Sequence, residues 1–175
     1  MIRRLVKGRD GSTAVEFAMV ALPFLALICG IIELGFVFLV STTLETATTD
    51  TARQIRTGEM QTAGGATAAT FKQSVCNGMS WLGVAQCMSN LQVDVRTFAQ
   101  FQNTAVPAPI VNGQLNTQSL LFQMGGPGDI VLVRVYYPWT LMTPNLDGAV
   151  QNLSGGQHLI SAAATFRNEP YPTTP

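Results

Sequence analysis

Histidine is almost missing from this chain: its 175 residues include one, His158. Ser154 and Ser161 lie near it, but a hydrolase needs more than that, and no catalytic set emerges. Charge is scarce as well, and ten basic and ten acidic residues cancel to a formal net charge of zero. Arg3, Arg4, Lys7 and Arg9 crowd the first nine residues. No basic or aromatic patch elsewhere supports nucleic-acid binding. Cysteine occurs three times, as Cys29, Cys76 and Cys87. With His158 far away these make no metal-ligand spacing. The run Gly125-Gly126-Pro127-Gly128 has no Lys-Ser/Thr after it and opens no helix, so it reads as a turn and not a phosphate cradle. No internal repeat is visible. The reading therefore contains no enzyme, cofactor, metal, nucleic-acid partner or small-molecule substrate.

What the chain does have is one long apolar run. Ala14 to Val40 reads AVEFAMVALPFLALICGIIELGFVFLV, 27 residues holding two charges, Glu16 and Glu33. As a helix it reaches roughly 40 Å, more than the ~30 Å hydrocarbon core of a bilayer. A single segment in lipid satisfies its backbone only as a helix. The basic cluster before it marks the N-terminus as cytoplasmic and sends the bulk of the chain across the membrane. Setting aside about 55 residues for the helix and its flanks leaves about 120, enough for one modest domain.

Three readings of the N-terminus compete. A secretory signal peptide has an apolar core of only about 7–15 residues, shorter than this run. A lipoprotein signal needs a small residue before the acylated cysteine, and Ile28 precedes Cys29. The third is a leader, residues 1–11, cut on the cytoplasmic side before the apolar segment. Gly11 is followed by Ser12, Thr13, Ala14, Val15, Glu16 and Phe17, which looks like the processing site of type IV-pilin-like proteins. There a prepilin peptidase cuts after a glycine and a glutamate stands fifth in the mature chain. Glycine leaves a protease unobstructed and loosens the helix start. Ser12 and Thr13 suit a helix cap, and Glu16 suits the first turns of the helix dipole. The alternative is an uncleaved signal anchor with Glu16 at the interface.

The stretch RDGSTAVEFAMVALPFLALICGIIELGFVF, followed by LETATTDTARQIRTG, resembles the TadE-like family of the tight-adherence (Flp pilus) secretion machinery. The family positions are Glu16-Phe17, a second buried Glu at Glu33, and Ala52-Arg53. The match covers roughly residues 8–58 and looks extended by GGPGDIVLVRVYYPW and AAATFRNEPY. The resemblance implies a pseudopilin or minor pilin, processed by a prepilin peptidase, acting in Flp pilus assembly. It also implies an inner-membrane, single-pass location, with other pilin-like subunits and the inner-membrane assembly platform as partners.

Glu33 is the second anomaly of the run. An acid deep in lipid costs about 2.5 kcal/mol or more and is normally protonated, paired or turned toward another helix. Two readings stand: contact with a partner subunit, or snorkelling into headgroups at the outer boundary. Pro23 removes one helix hydrogen bond and implies a bend. Beyond the bilayer the helix should continue as a stalk to Gly58. Leu44, Ala47, Thr48, Thr51, Ala52 and Ile55 share a face there, and Arg53 and Arg56 suit the last turns.

The fold class expected after the stalk is α+β. Residues 59–69 read as a linker turning at Gly64-Gly65. A helix over 67–83 buries Phe71, Val75, Met79 and Leu82. Strands are expected near 91–101, 129–138 and 158–168, mainly antiparallel because loops and not crossover helices join them. Pro138 should end the second strand. The alanines of the third leave room for the stalk helix. TAVPAPIVNGQLNT reads as a loop, His158 as a surface residue, and EPYPTTP as an extended tail. Cys76 and Cys87 fall on the oxidising side, where a bridge persists and contributes about 2–3 kcal/mol; the alternative is two buried thiols.

The domain plan is a leader at 1–11, a transmembrane and stalk helix at 12–58, and a periplasmic α+β domain at 59–175. The function expected is a pilin-like subunit of Flp pilus assembly, cut after Gly11. The alternative is an uncleaved, signal-anchored periplasmic binding module.

Overall fold

The computed structural model describes residues 10–64, 66–101, 106–143 and 147–172. Helix α1 runs Asp10–Arg56, 47 residues, or about 70 Å. It continues through Pro23 without interruption. Gly11, Ser12 and Thr13 already lie inside it, so neither Ser12 nor Thr13 stands at a cap position. A glycine costs a helix about 1 kcal/mol, too little to end one of this length.

The lower part of α1 exposes its apolar side chains, among them Phe17, Val20, Phe24 and Leu27. From Glu33 upward one stripe is buried: Glu33, Val40, Leu44, Ala47, Thr48, Thr51, Ala52 and Ile55. Of the threonines that weaken this stretch as a helix, Thr42, Thr43, Thr46 and Thr51 bond back to its own carbonyls, whereas the buried Thr48 hydroxyl has no partner among the described residues. Thr51 Oγ1 donates to Ala47 O at 2.8 Å and Thr46 Oγ1 to Thr42 O at 2.9 Å, so these hydroxyls need no outside partner. The helix stops where expected. Gly58 has φ +80°, and the Tyr171 ring occupies the place a Cβ would take there, so only glycine fits. Glu169 returns the C-terminal segment to this point through its N–H to Arg56 O at 2.8 Å and its carboxylate to Arg56 at 2.9 Å.

Four short helical pieces follow. They are α2 (Glu59–Thr62), α3 (Ala68–Gly78), a 3-10 turn (Ser80–Leu82) and α4 (Val84–Asn90). The expected linker at 59–69 thus holds α2 and the start of α3. Thr67 caps α3 reciprocally with Thr70. The expected single helix at 67–83 is broken at Met79, which leaves helical geometry (φ −110°, ψ 30°). Its apolar face still points inward, with Phe71, Val75 and Met79 fully buried. A Cβ on Gly78 would stand 2.8 Å from that of Ala47, so the end of α3 lies close against α1. Cys76 of α3 and Cys87 of α4 are joined by a disulfide, their Cα atoms 5.6 Å apart.

The sheet has three strands in the order β1-β4-β5, all antiparallel: β1 Gln92–Phe98, β4 Ile130–Thr140 and β5 Gln157–Arg167. This is the expected α+β architecture of a long helix and a short helix on an antiparallel sheet. Alternation decides the faces. Val93 and Val95 of β1, Val131, Val133, Val135 and Tyr137 of β4, and Ile160 and Ala162 of β5 join one core with α1 and α3. Ala162 and Ala164 lie on the helix side of β5, as their small size implied.

Two expectations fail here. Pro138 lies inside β4, which runs on to Thr140. The reason is register: β1 pairs with β4 only as far as Tyr136, so beyond it β4 has β5 alone as neighbour and tolerates a missing donor. The Pro- and Asn-rich loop contains a hairpin, β2 (Ile110–Val111) and β3 (Gln114–Leu115), turned by Asn112 (φ 53°) and Gly113 (φ 73°). Ile110, Leu115 and Leu120 from this region pack on Tyr136 and Leu159 across the outer face of the sheet. One further helical turn, α5 (Asp147–Val150), precedes β5.

Candidate functional site

The first candidate region is the start of α1. The Gly11–Ser12 bond lies within α1. Glu16 and Phe17 follow about one turn later, both exposed. Residues 1–9, most of the expected leader, lie outside the described residues.

Among the described residues, one helix is long and apolar enough to cross a membrane. Only 11% of its most apolar window is buried. The core helix of a water-soluble domain would hide such a surface. Cys29 lies on this surface as a free, exposed thiol.

Glu33 has a setting that neither sequence reading foresaw. Its side chain is fully enclosed, with 1% of the residue exposed. One carboxylate oxygen accepts Trp139 Nε1–H at 3.3 Å. The other accepts the backbone N–H groups of Met142 at 2.8 Å and Thr143 at 3.1 Å, and the Thr143 hydroxyl at 3.4 Å. The carboxylate meets groups of its own chain. The end of β4 projects past its neighbour β1 and brings Trp139 and the residues after it down onto α1. A buried charge that collects several donors is held far better than a bare one.

The second charged cluster lies on the outer face of the sheet. Asp94 and Arg134 are direct partners in the β1–β4 register. Asp94 is fully buried and accepts from Arg96 Nε at 3.0 Å, from Arg134 Nη2 at 2.5 Å and from Leu121 N at 2.8 Å. Burial alone would raise its pKa. The hydrogen bonds from Arg96, Leu121 and Arg134, with the Arg134 charge, outweigh that and hold the carboxyl below its usual value. Arg96 also bonds the Ser119 carbonyl and Arg134 the Pro107 carbonyl. The cluster therefore ties the covering loop to the sheet. Its legible signal was Arg134, a lone charge in an otherwise apolar strand.

His158 is half-buried on β5, not on the surface as expected, and its Nδ1 lies 2.6 Å from Val150 O. Ser154 and Ser161 are exposed. Among the described residues no cluster of His, Cys, Asp and Glu could hold a metal ion. The groove lined by Gln54, Glu59, Met60, Ala63, Ala66 and Thr70 is open.

Residues 11–53 match the family described as TadE-like protein. The match is confined to the N-terminal segment. It begins at Gly11, contains Glu16 and Glu33, and ends at Arg53 on the stalk, three residues short of the end of α1. The TadE-like segment thus spans both the exposed apolar part of the helix and most of the stripe that carries the sheet. No curated protein and no solved structure matches the chain.

Proposed function

We propose that this protein is a pilin-like subunit taking part in tight-adherence (Flp) pilus assembly and secretion, and that it performs no catalysis. The observation that carries the reading is the coincidence of the TadE-like match with one helix that is lipid-compatible below Glu33 and domain-bound above it. In this reading residues 12–58 anchor and extend the protein, with its N-terminus cytoplasmic. Residues 59–175 form the periplasmic domain.

Processing belongs to the same proposal. A prepilin peptidase removes residues 1–11 and exposes the Ser12 amine. Glu16 then neutralises the amine of a neighbouring subunit, since an unpaired charge among apolar helices is costly. The partners are the peptidase, other pilin-like subunits and the inner-membrane assembly platform. Intact mass of the protein purified from membranes tests this: residues 1–11 should be absent and Ser12 first. A protein that still begins at Met1 while pili assemble normally would favour the uncleaved, anchored binding module.

A further inference from the structure

The lipid-compatible face of α1 and the domain overlap along the helix. Exposed apolar side chains continue on α1 past Glu33, through Leu34 and Phe38 to Leu39, with Phe38 71% exposed. Exposed charge resumes only at Glu45. Yet the domain already grips the helix at Glu33 through Trp139, Met142 and Thr143. Six residues separate Glu33 from Leu39, an overlap of about 9 Å.

The bilayer gives this overlap a location. Counted from Thr13 at the inner edge of the hydrocarbon, Glu33 lies about 30 Å up, the thickness of the core. The next ~5–8 Å are headgroup layer, so Leu34 to Leu39 lie largely within it. The domain tip that reaches down to Glu33 lies there too. Its composition fits: Trp139 is amphipathic and half-buried, and Met142 is apolar and 61% exposed. Tryptophan is enriched at this depth in membrane proteins. Glu33 fits as well, because its hydrogen-bond donors come from protein and it needs no water.

We infer that the tip formed by Trp139 and Met142 is a lipid-contact surface, seated in the headgroup layer of the outer leaflet of the membrane that α1 spans. It makes a second membrane contact for the domain and fixes the tilt and rotation of the domain relative to the bilayer. The inference rests on α1 crossing the bilayer, and the test separates the two claims.

Full-length protein is reconstituted in phosphatidylcholine–phosphatidylglycerol vesicles carrying lipids brominated either near the carbonyl or near the chain end. The Trp81→Phe variant leaves Trp139 as the one reporter. The Trp139→Phe variant leaves Trp81, which lies just after Gly78, itself packed against Ala47, fourteen residues above Glu33 on α1. Leu25→Trp in a background lacking both reports the middle of the span. Shallow bromines should remove about half of the Trp139 emission, deep bromines distinctly less, and neither should affect Trp81. Leu25→Trp should respond most to deep bromines. Trp139 no more quenched than Trp81, with Leu25→Trp quenched, overturns the lipid-contact surface and leaves the membrane span standing. Trp139 quenched more by deep bromines than by shallow ones overturns the headgroup placement. An unquenched Leu25→Trp overturns the span and the inference with it.

Discussion

The carboxylate of Glu33 accepts the backbone N–H of Met142 at 2.8 Å, across a sequence separation of 109 residues. A residue that reads as a membrane anomaly is the lower fastening of the domain. Glu33→Gln should weaken it. The amide oxygen can still accept from Met142 or Thr143, but the amide NH2 then faces the Trp139 N–H as donor against donor. Glu33→Ala leaves all of these donors without an acceptor, at about 1–3 kcal/mol for a buried unsatisfied group. Hydrogen exchange of full-length protein in detergent should show faster exchange at Met142 and Thr143 in both variants, more in the alanine one. Protection equal to that of the parent would sink this account.

The overall plan was legible in the sequence because its signals are local. A 27-residue apolar run, a stalk stripe at three- and four-residue steps, an alternating run, a β-branched run and a weaker alanine-rich run indicated a helix and three strands within a few residues of those observed. The setting of Glu33 was not legible, since its donors lie more than a hundred residues away and two are backbone groups without a side-chain signature. Pro138 misled for a related reason: its tolerance depends on β1 stopping at the level of Tyr136, a matter of register. The β2–β3 hairpin was legible and missed, for Asn112-Gly113 is a strong turn signal for a two-residue hairpin.

Asp94 should govern the acid limb of stability. Its folded-state pKa lies below the ordinary carboxylate value, so its contribution is complete above the unfolded value of about 3.9 and is lost as pH falls through the lower folded value. Asp94→Asn leaves Arg96 and Arg134 largely buried without their counter-charge and should cost about 3–5 kcal/mol at neutral pH. The gap between parent and variant should narrow below about pH 4. Thermal unfolding of both proteins in detergent, followed across pH, measures it. A gap that stays constant down to strong acid would contradict the assignment.

The bridge between Cys76 and Cys87 closes a short loop between two buried positions. Its removal by Cys76→Ser with Cys87→Ser should cost about 2–3 kcal/mol on the chain-entropy account. In denaturant without reductant, alkylation should add one label per chain, on Cys29, and three after reduction. Three labels without reductant would mean that the bridge is absent from the cellular protein.

Glu16 and Glu33 should part company in assembly. Both are acids on α1, but Glu33 is enclosed by its own domain while Glu16 is exposed. Glu16→Gln keeps the shape and removes the charge, so removal of residues 1–11 should persist while neutralisation of a neighbour's Ser12 amine is lost. The variant should therefore be stable and correctly oriented in the membrane, yet unable to support pili. Gly11→Ala should instead retain the full chain, also correctly oriented, because the basic cluster that sets orientation is untouched. Glu33→Gln should be cleaved normally and act through the domain, lowering stability before it lowers assembly. Intact mass, membrane content and pilus counts on the same three strains decide the matter. Normal pili with glutamine at position 16 would remove Glu16 from the assembly contact, whatever the fate of the leader.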